Sequence, residues 1–396
     1  VTDTAILAAF LAAIAGLGAG RAWASAQRRG EGRFRARSSA HYVQGLHQLA
    51  SGRPDLAASE LVKVSRNEPD AVEVQLVLGD LLREAGQVER AMSVHQGLAG
   101  RSELARTERV QALVCLALDL RKAGFLDRAT RTFEEALDLD PGNIHALVGL
   151  ERLHEDQRQW REAASLEARV VRLRKTRDSL VLAFLHAEIG REALDAGRLE
   201  EAEGEFKESL DLDRRAFPAR LGLADLHLES NPRRAAAILE EAMQAAPERA
   251  YLVFDRLARA YDASGEPSRF SALCERMIRQ DPGDWRARVA LARRLTNEGR
   301  ADEALGLLIR ALDSNPQILV IHLEAWRALR HLGVADEPFE RYTEAAERSA
   351  LYRDPHICTA CRYRSDDMLW RCPHCHAWNT FVEERVGLPS DRLGPL

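Results

Sequence analysis

Gly45 and Gly79 stand thirty-four residues apart, and each is followed seven residues later by a second glycine, Gly52 and Gly86. Five residues beyond those come Ala57 and Ala91. The same glycine-to-alanine step returns at Gly124 and Ala129, at Gly197 and Ala202, and at Gly299 and Ala304. Pro69, Pro141, Pro247, Pro282 and Pro316 each lie twelve residues after the matching small or apolar position. A recurrence of this length restricts the fold more than any overall composition does. It describes a chain of small supersecondary units that cannot bury their apolar faces alone and must stack.

Each residue type has a physical reason to be where it is. Two helices that cross closely need small side chains at the contact: Gly45, Ala57, Gly79, Ala91, Ala117, Ala129, Ala136, Gly190, Ala202, Ala258, Ala292, Ala304 and Ala311. The turn between them needs positive φ, which glycine adopts without steric cost. Proline closes the second helix because it cannot continue the hydrogen-bond ladder. Phe133, Phe206, Leu239 and Leu308 are the larger residues expected to fill the space between helices. The pattern is that of the tetratricopeptide repeat, which it resembles in every position named. Eight units run from about residue 39 to residue 316, and a ninth, degenerate one covers Gln317 to Leu351. Insertions of four and five residues precede the third and fifth units, and the sixth lacks one residue in its turn. Such an array curls into a superhelix whose concave face binds an extended peptide or a partner helix. Arg121, Lys122, Arg152, Arg191, Arg259 and Arg293 are expected near that concavity as partner-binding residues, with Glu84, Asp156, Asp225 and Asp262 among them.

Composition agrees with an all-helical, soluble body. Of 396 residues, 46% are hydrophobic and 30% charged, while aromatics make up only 6%. A net charge of −5 gives no general attraction to nucleic acid. No catalytic triad, HExxH pair, phosphate loop or dinucleotide fingerprint is present, so an enzyme is not expected. Cys115 and Cys274 are isolated at inward positions and read as small buried hydrophobes. No disulfide framework is evident, which suits a reducing compartment.

Ala5 to Gly20 carries no charge or strongly polar group, and Ala22 to Ala24 extends the stretch past Arg21. That is near the length a membrane span requires. Ala22-Trp23-Ala24 resembles a signal cleavage site, but the residues before the apolar stretch include Asp3 and no basic group, which favours an uncleaved anchor. Arg21, Arg28, Arg29, Arg33, Arg35 and Arg37 all follow it, so the positive-inside rule places the body of the chain in the cytoplasm. Ala8, Ala12, Gly16 and Gly20 would line one face of that helix, the kind of surface that lets membrane helices approach closely.

Four of the six cysteines crowd into Cys358-Thr-Ala-Cys361 and Cys372-Pro-His-Cys375. Two Cys-x-x-Cys turns separated by ten residues can wrap one tetrahedral ion, and four thiolates close its coordination shell. Zinc suits such a site best, and iron is accepted by the same S₄ geometry. A closed shell makes the metal structural, and its binding supplies folding energy that so short a segment lacks. The rivals are a redox dithiol, which lacks its βαβ context, and a nucleic-acid ribbon, whose basic face Asp366, Asp367, Glu383 and Glu384 would offset. His356, His374 and His376 lie nearby, and one of them could replace a cysteine. Tyr363, Trp370, Trp378 and Phe381 offer a small aromatic core around the ion.

Anchor, repeats and terminal Cys₄ knuckle together resemble the lipopolysaccharide assembly protein B (LapB) family. The resemblance is carried by His41-Tyr-Val-Gln-Gly-Leu, by Leu78-Gly-Asp-Leu-Leu-Arg-Glu-Ala-Gly-Gln-Val-Glu-Arg-Ala, and by Trp370-Arg-Cys-Pro-His-Cys-His-Ala-Trp378. The residues themselves lead us to expect an all-α chain with an N-terminal transmembrane helix (1–25), a basic juxtamembrane linker (26–38), a tetratricopeptide-repeat superhelix (39–351), a Cys₄ metal-binding module (352–384) and a polar, disordered tail (385–396). The resemblance covers all but the last dozen residues and implies that the module is rubredoxin-like or a zinc ribbon and docks onto the repeats. The family's metal ligands map onto Cys358, Cys361, Cys372 and Cys375, while Arg362 stands where glycine is usual after the second cysteine. Also implied is a bacterial inner-membrane adaptor with a cytoplasmic body. It would act with the membrane protease FtsH to control turnover of LpxC, the lipid A pathway deacetylase. The alternative is a platform that gathers lipopolysaccharide enzymes without proteolysis.

Overall fold

A computed structural model describes residues 39–176, 179–316, 318–334 and 356–383. The expected anchor (1–25), linker (26–38) and tail lie outside them, as does most of the second half of the degenerate ninth unit. Among the described residues no helix is long and apolar enough to cross a membrane. The chain divides into two compact units, Val1–Arg177 and Asp178–Leu396.

Unit one is four helix pairs: α1 (Ala40–Ala50) with α2 (Pro54–Asn67), α3 (Val72–Glu84) with α4 (Val88–Ala99), α5 (Arg106–Lys122) with α6 (Leu126–Leu139), and α7 (Ile144–Asp156) with α8 (Trp160–Arg174). Unit two continues with α9 (Leu180–Asp195) and α10 (Leu199–Leu212), then α11 (Phe217–His227) and α12 (Pro232–Ala245). A 3₁₀ turn (Pro247–Leu252) leads into α13 (Phe254–Ala263) and α14 (Ser268–Gln280), followed by α15 (Trp285–Asn297), α16 (Ala301–Ser314) and α17 (Leu319–His331). Within each unit every helix packs on the next, and first helices of adjoining pairs also touch, as α3 does α5 and α9 does α11.

The punctuation falls where the repeat requires it. Gly52, Gly86, Gly124, Gly197 and Gly299 take φ of +70, +76, +82, +73 and +80°, and Gly265 and Gly333 do the same at +75 and +72°. The fourth pair makes the turn with Arg158 at φ 57° instead. The shortened turn of the sixth is closed by Asn231, whose side chain accepts from the Arg234 amide at 3.2 Å and caps α12. Pro69, Pro141, Pro247, Pro282 and Pro316 each follow the last residue of a second helix by two positions.

Inside, small residues meet large ones. Ala57, Ala91, Ala129, Ala202 and Ala304 are fully buried, and Phe133, Phe206, Leu239 and Leu308 fill the space beside them. Ala258 is only half-buried and packs at the edge of the core. Phe206 lies between Gly190 of α9 and Gly222 of α11, where an added Cβ would stand 2.7 and 2.2 Å from its ring. We expect Gly222→Ala to lower stability, since overpacking costs about 1–3 kcal/mol and outweighs the ~1 kcal/mol helix-propensity gain. Gly204→Ala on the open side of α10, with nothing within 4 Å, should raise it by about 0.4–1 kcal/mol. Urea titration of the two variants should move in opposite directions, and a shared direction would contradict this packing.

Unit two ends in a small antiparallel sheet of β1 (His356–Cys358), β2 (Arg364–Ser365) and β3 (Phe381–Glu383), in the order β2-β1-β3. His356 stands opposite both Ser365 and Glu383, and Cys358 opposite Phe381.

Candidate metal centre and its seat on the repeats

Two turns of the same design carry the four cysteines. In the first, the Arg362 amide donates to the Cys358 carbonyl at 2.8 Å and the Cys358 amide to the Tyr363 carbonyl at 2.8 Å. In the second, the His376 amide donates to the Cys372 carbonyl at 2.9 Å and the Cys372 amide to the Ala377 carbonyl at 2.9 Å. Arg362 and His376 occupy the same place in each turn and both adopt the left-handed conformation, at φ 66 and 60°. The turn is therefore made without the glycine usual at that position.

The sulfurs converge. Cys358 Sγ lies 3.7 Å from Cys375 Sγ and Cys361 Sγ 3.6 Å from Cys372 Sγ, and all four lie within 4.8 Å of one another. A tetrahedral ion with metal–sulfur bonds of about 2.3 Å requires sulfur–sulfur separations of about 3.8 Å, so the residues fit the ion. Cys358 and Cys372 are fully buried with Phe381, while Cys361 and Cys375 are half-buried. Burial opposes the Cys358 thiolate, but the Thr380 hydroxyl at 3.2 Å and local backbone amides bring its thiol down to about 6. Burial, with the crowding of Cys375 and Cys372, pushes Cys361 up to about 12. Four thiolates this close repel one another, and a divalent cation supplies the charge that lets all of them ionise. The histidines are engaged elsewhere: His356 Nε2 with the Tyr251 hydroxyl at 3.0 Å, His376 Nδ1 with Arg371 at 2.9 Å, and His374 against the Tyr363 ring at 6.2 Å.

The aromatic residues divide differently from the expected core. Phe381 packs on the cysteines, and Tyr363 meets it edge-on at 6.5 Å. Trp370 and Trp378 instead face the repeats. Trp370 lies 6.1 Å from Phe184 of α9 and 6.0 Å from Phe217 of α11, with the Arg249 guanidinium 5.5 Å above its ring. Trp378 lies 5.7 Å from Phe184 and is 8% exposed. So short a segment cannot enclose two indoles by itself, and the helices supply the missing wall. At the other end, Asp284 caps α15 by accepting from the Arg286 amide at 3.0 Å, and the Arg286 guanidinium pairs with Glu383 of β3. We expect Arg286→Ala to weaken the seating by about 2 kcal/mol, a roughly thirty-fold rise in the undocked population. Hydrogen exchange at the amides of residues 356–383 should accelerate accordingly, and unchanged protection would contradict it.

The expected partner-binding residues fall in both units. In unit one, Arg121 pairs with Asp156 at 2.6 Å, while Lys122 and Arg152 are exposed. In unit two, Arg191 reaches Glu188 at 3.4 Å, Arg293 pairs with Glu324 at 2.9 Å and Asp255 at 3.3 Å, and Arg259 is exposed.

A buried polar network in unit one was not anticipated. Asp119, fully buried, accepts from Arg83 at 2.8 Å and bonds His95 Nδ1 at 2.6 Å, while Arg83 also reaches Asp80 at 2.5 Å. Asp80, His95 and Cys115 lie close enough to ligate an ion, but the guanidinium already neutralises this group. Burial works against the charge on Arg83, but Asp119 and Asp80 outweigh it and hold its pKa above the ordinary value. Burial, reinforced by the Asp80 charge, pushes the Cys115 thiol up to about 12, and burial raises Cys274 equally.

Comparisons with known proteins agree with this architecture. A zinc-ribbon model named for LapB, described as a rubredoxin metal binding domain, matches residues 356–383. Tetratricopeptide repeat models match residues 42–103 and 271–330. Lipopolysaccharide assembly protein B of Escherichia coli K12 is 24% identical over 347 residues, 87% of this chain and 89% of that protein. The protein of the same name from Haemophilus influenzae is 23% identical over 356 residues, 86% of this chain and 89% of its own length. A repeat fold of the interaction type and relatives named for assembly mark the chain as a scaffold and not an enzyme. Repeats, a terminal four-cysteine knuckle and a likeness running along most of both sequences together make this chain similar to the lipopolysaccharide assembly protein B family.

Proposed function

We propose that this protein is an adaptor in the control of lipopolysaccharide synthesis, presenting a cytoplasmic client to a membrane-bound partner. The observation that carries the reading is the seating of the knuckle on unit two through Trp370, Trp378 and Arg286. A module held by aromatic and charged contacts, with a coordination shell closed by four cysteines, offers a rigid surface and no open position for chemistry. The printed name of the relatives supplies the process, lipopolysaccharide assembly. The finer reading is an inner-membrane protein, anchored through residues 1–25, that promotes degradation of the deacetylase LpxC by the protease FtsH.

Depleting the protein should raise the abundance of the deacetylase, and an unchanged level would remove the proteolytic part of the reading. The relatives' name equally favours a platform for lipopolysaccharide biosynthetic enzymes, in which case depletion would disperse those enzymes and leave the deacetylase level as it was. Deleting residues 1–25 separates co-localisation from binding, because full function of the truncated chain would make the anchor dispensable.

A further inference from the structure

Unit one holds a cavity of about 520 Å³ between α3, α5 and α7, within the ~300–1,000 Å³ range of ligand-binding clefts. Its floor is apolar: Leu118 of α5 and Ile144 and Val148 of α7 pack on the core but remain half-exposed to the opening. The rest of the lining mixes neutral polar residues (Thr107, Gln111, Asn143) with four arginines and one acid, and its charges are unequally spent. Arg83 is committed to Asp80 and Asp119, and Arg121 to Asp156 with Nε 3.0 Å and Nη2 2.6 Å from one carboxylate oxygen. Those pairs consume Asp80, the only acid of the lining, and Asp156 beside it. Arg152, Arg174 and His145 line the same cavity, are exposed, and carry no hydrogen bond or ion pair among the described residues.

We propose that this groove is a docking site for an extended acidic segment of a partner protein, one in which carboxylates alternate with apolar side chains. Two uncommitted guanidiniums ask for carboxylates, which they can grip through two parallel N–H···O bonds. The floor asks for Leu-like side chains, which an inorganic anion does not have. An extended strand carries successive side chains on opposite sides, so one chain can reach floor and rim together. Two of the unit-two arginines that were expected to bind partners do not share this character: Arg293 and Arg191 are satisfied by Glu324, Asp255 and Glu188 of the same chain, while Arg259 is exposed and bonds the Asp255 carbonyl of its own helix at 3.4 Å. The proposal rests on the adaptor reading and narrows it to one surface and one partner chemistry.

The test is fluorescence anisotropy of the full chain in detergent micelles with a labelled peptide that alternates Glu and Leu, against the same peptide with Gln for Glu. The Glu peptide should bind, the Gln peptide at least about tenfold more weakly, and added salt should weaken the first far more than the second. The double variant Arg152→Glu, Arg174→Glu should reduce affinity for the Glu peptide by about tenfold or more. Neither residue has a partner to lose among the described residues, so the circular dichroism of the variant should match the parent chain. Arg131→Glu on α6, whose guanidinium bonds only the Asp127 carbonyl of its own helix, should change nothing. Equal binding of the two peptides, or equal losses in both variants, would overturn the proposal. So would displacement of the peptide by phosphatidylglycerol or inorganic phosphate, which would give the groove to a headgroup. The proteolytic part of the adaptor reading fails separately, on an unchanged deacetylase level after depletion, a result that peptide affinity does not influence.

Discussion

Cys372→Ser is expected to release the metal, melt the knuckle and leave the repeats helical. The fully buried Cys372 sulfur sits 3.6 Å from Cys361 Sγ, and a hydroxyl there neither ionises nor bonds a soft ion as thiolate does. Structural zinc contributes roughly 10–16 kcal/mol to folding of small domains, far more than three short strands and a core of Phe381, Met368 and Leu369 can replace. Once the knuckle melts, Trp370 and Trp378 leave Phe184 and Phe217. Tryptophan emission should shift to the red while helical circular dichroism persists, because no repeat helix depends on the knuckle for its backbone bonds. Elemental analysis should fall from one ion per chain to almost none, and retained metal would refute the four-thiolate assignment. The same measurement on the parent chain distinguishes zinc from iron.

Asp119→Ala should cost unit one about 3–5 kcal/mol, the typical penalty for removing one partner of a buried ion pair. Asp119 is fully buried, and its two oxygens are shared between Arg83 and His95. Their loss leaves a guanidinium and an imidazole without the acceptor around which they are arranged. The neighbourhood has no room to adjust: a Cβ on Gly79 would stand 2.3 Å from His95 Nε2. Thermal unfolding should show a destabilised transition assigned to residues 39–176 by hydrogen exchange, with protection in unit two unchanged. A loss below about 1 kcal/mol would mean that the network is dispensable to the fold.

The repeats are legible in the sequence because their physics is local. Glycine at positive φ, alanine at the crossing and proline past the second helix act over a few residues, so period and register can be read directly. The metal ligands are legible for the same reason, since each Cys-x-x-Cys turn closes on itself. His95 had a signal that the periodic reading passed over. It stands four residues after the small Ala91, where other repeats place Leu61, Phe133, Phe206, Leu239 and Leu308. A polar residue in that apolar register calls for a buried partner, and Asp119 in the next repeat is that partner. The seat of the knuckle had no such signal. Tyr251 meets His356 across 105 residues, and nothing in the spacing of either announces the other. Trp370 and Trp378 read naturally as knuckle core because only tertiary structure shows a better wall outside it.

Affinity capture of the full chain from solubilised membranes, with Cys372→Ser beside it, bears most directly on the claim that stacked helices and a seated metal knuckle hold other proteins together. The parent chain should bring down the protease and the deacetylase, and the variant should lose them while its helices remain folded. Capture of neither by the parent, or of both equally by the variant, would contradict the account.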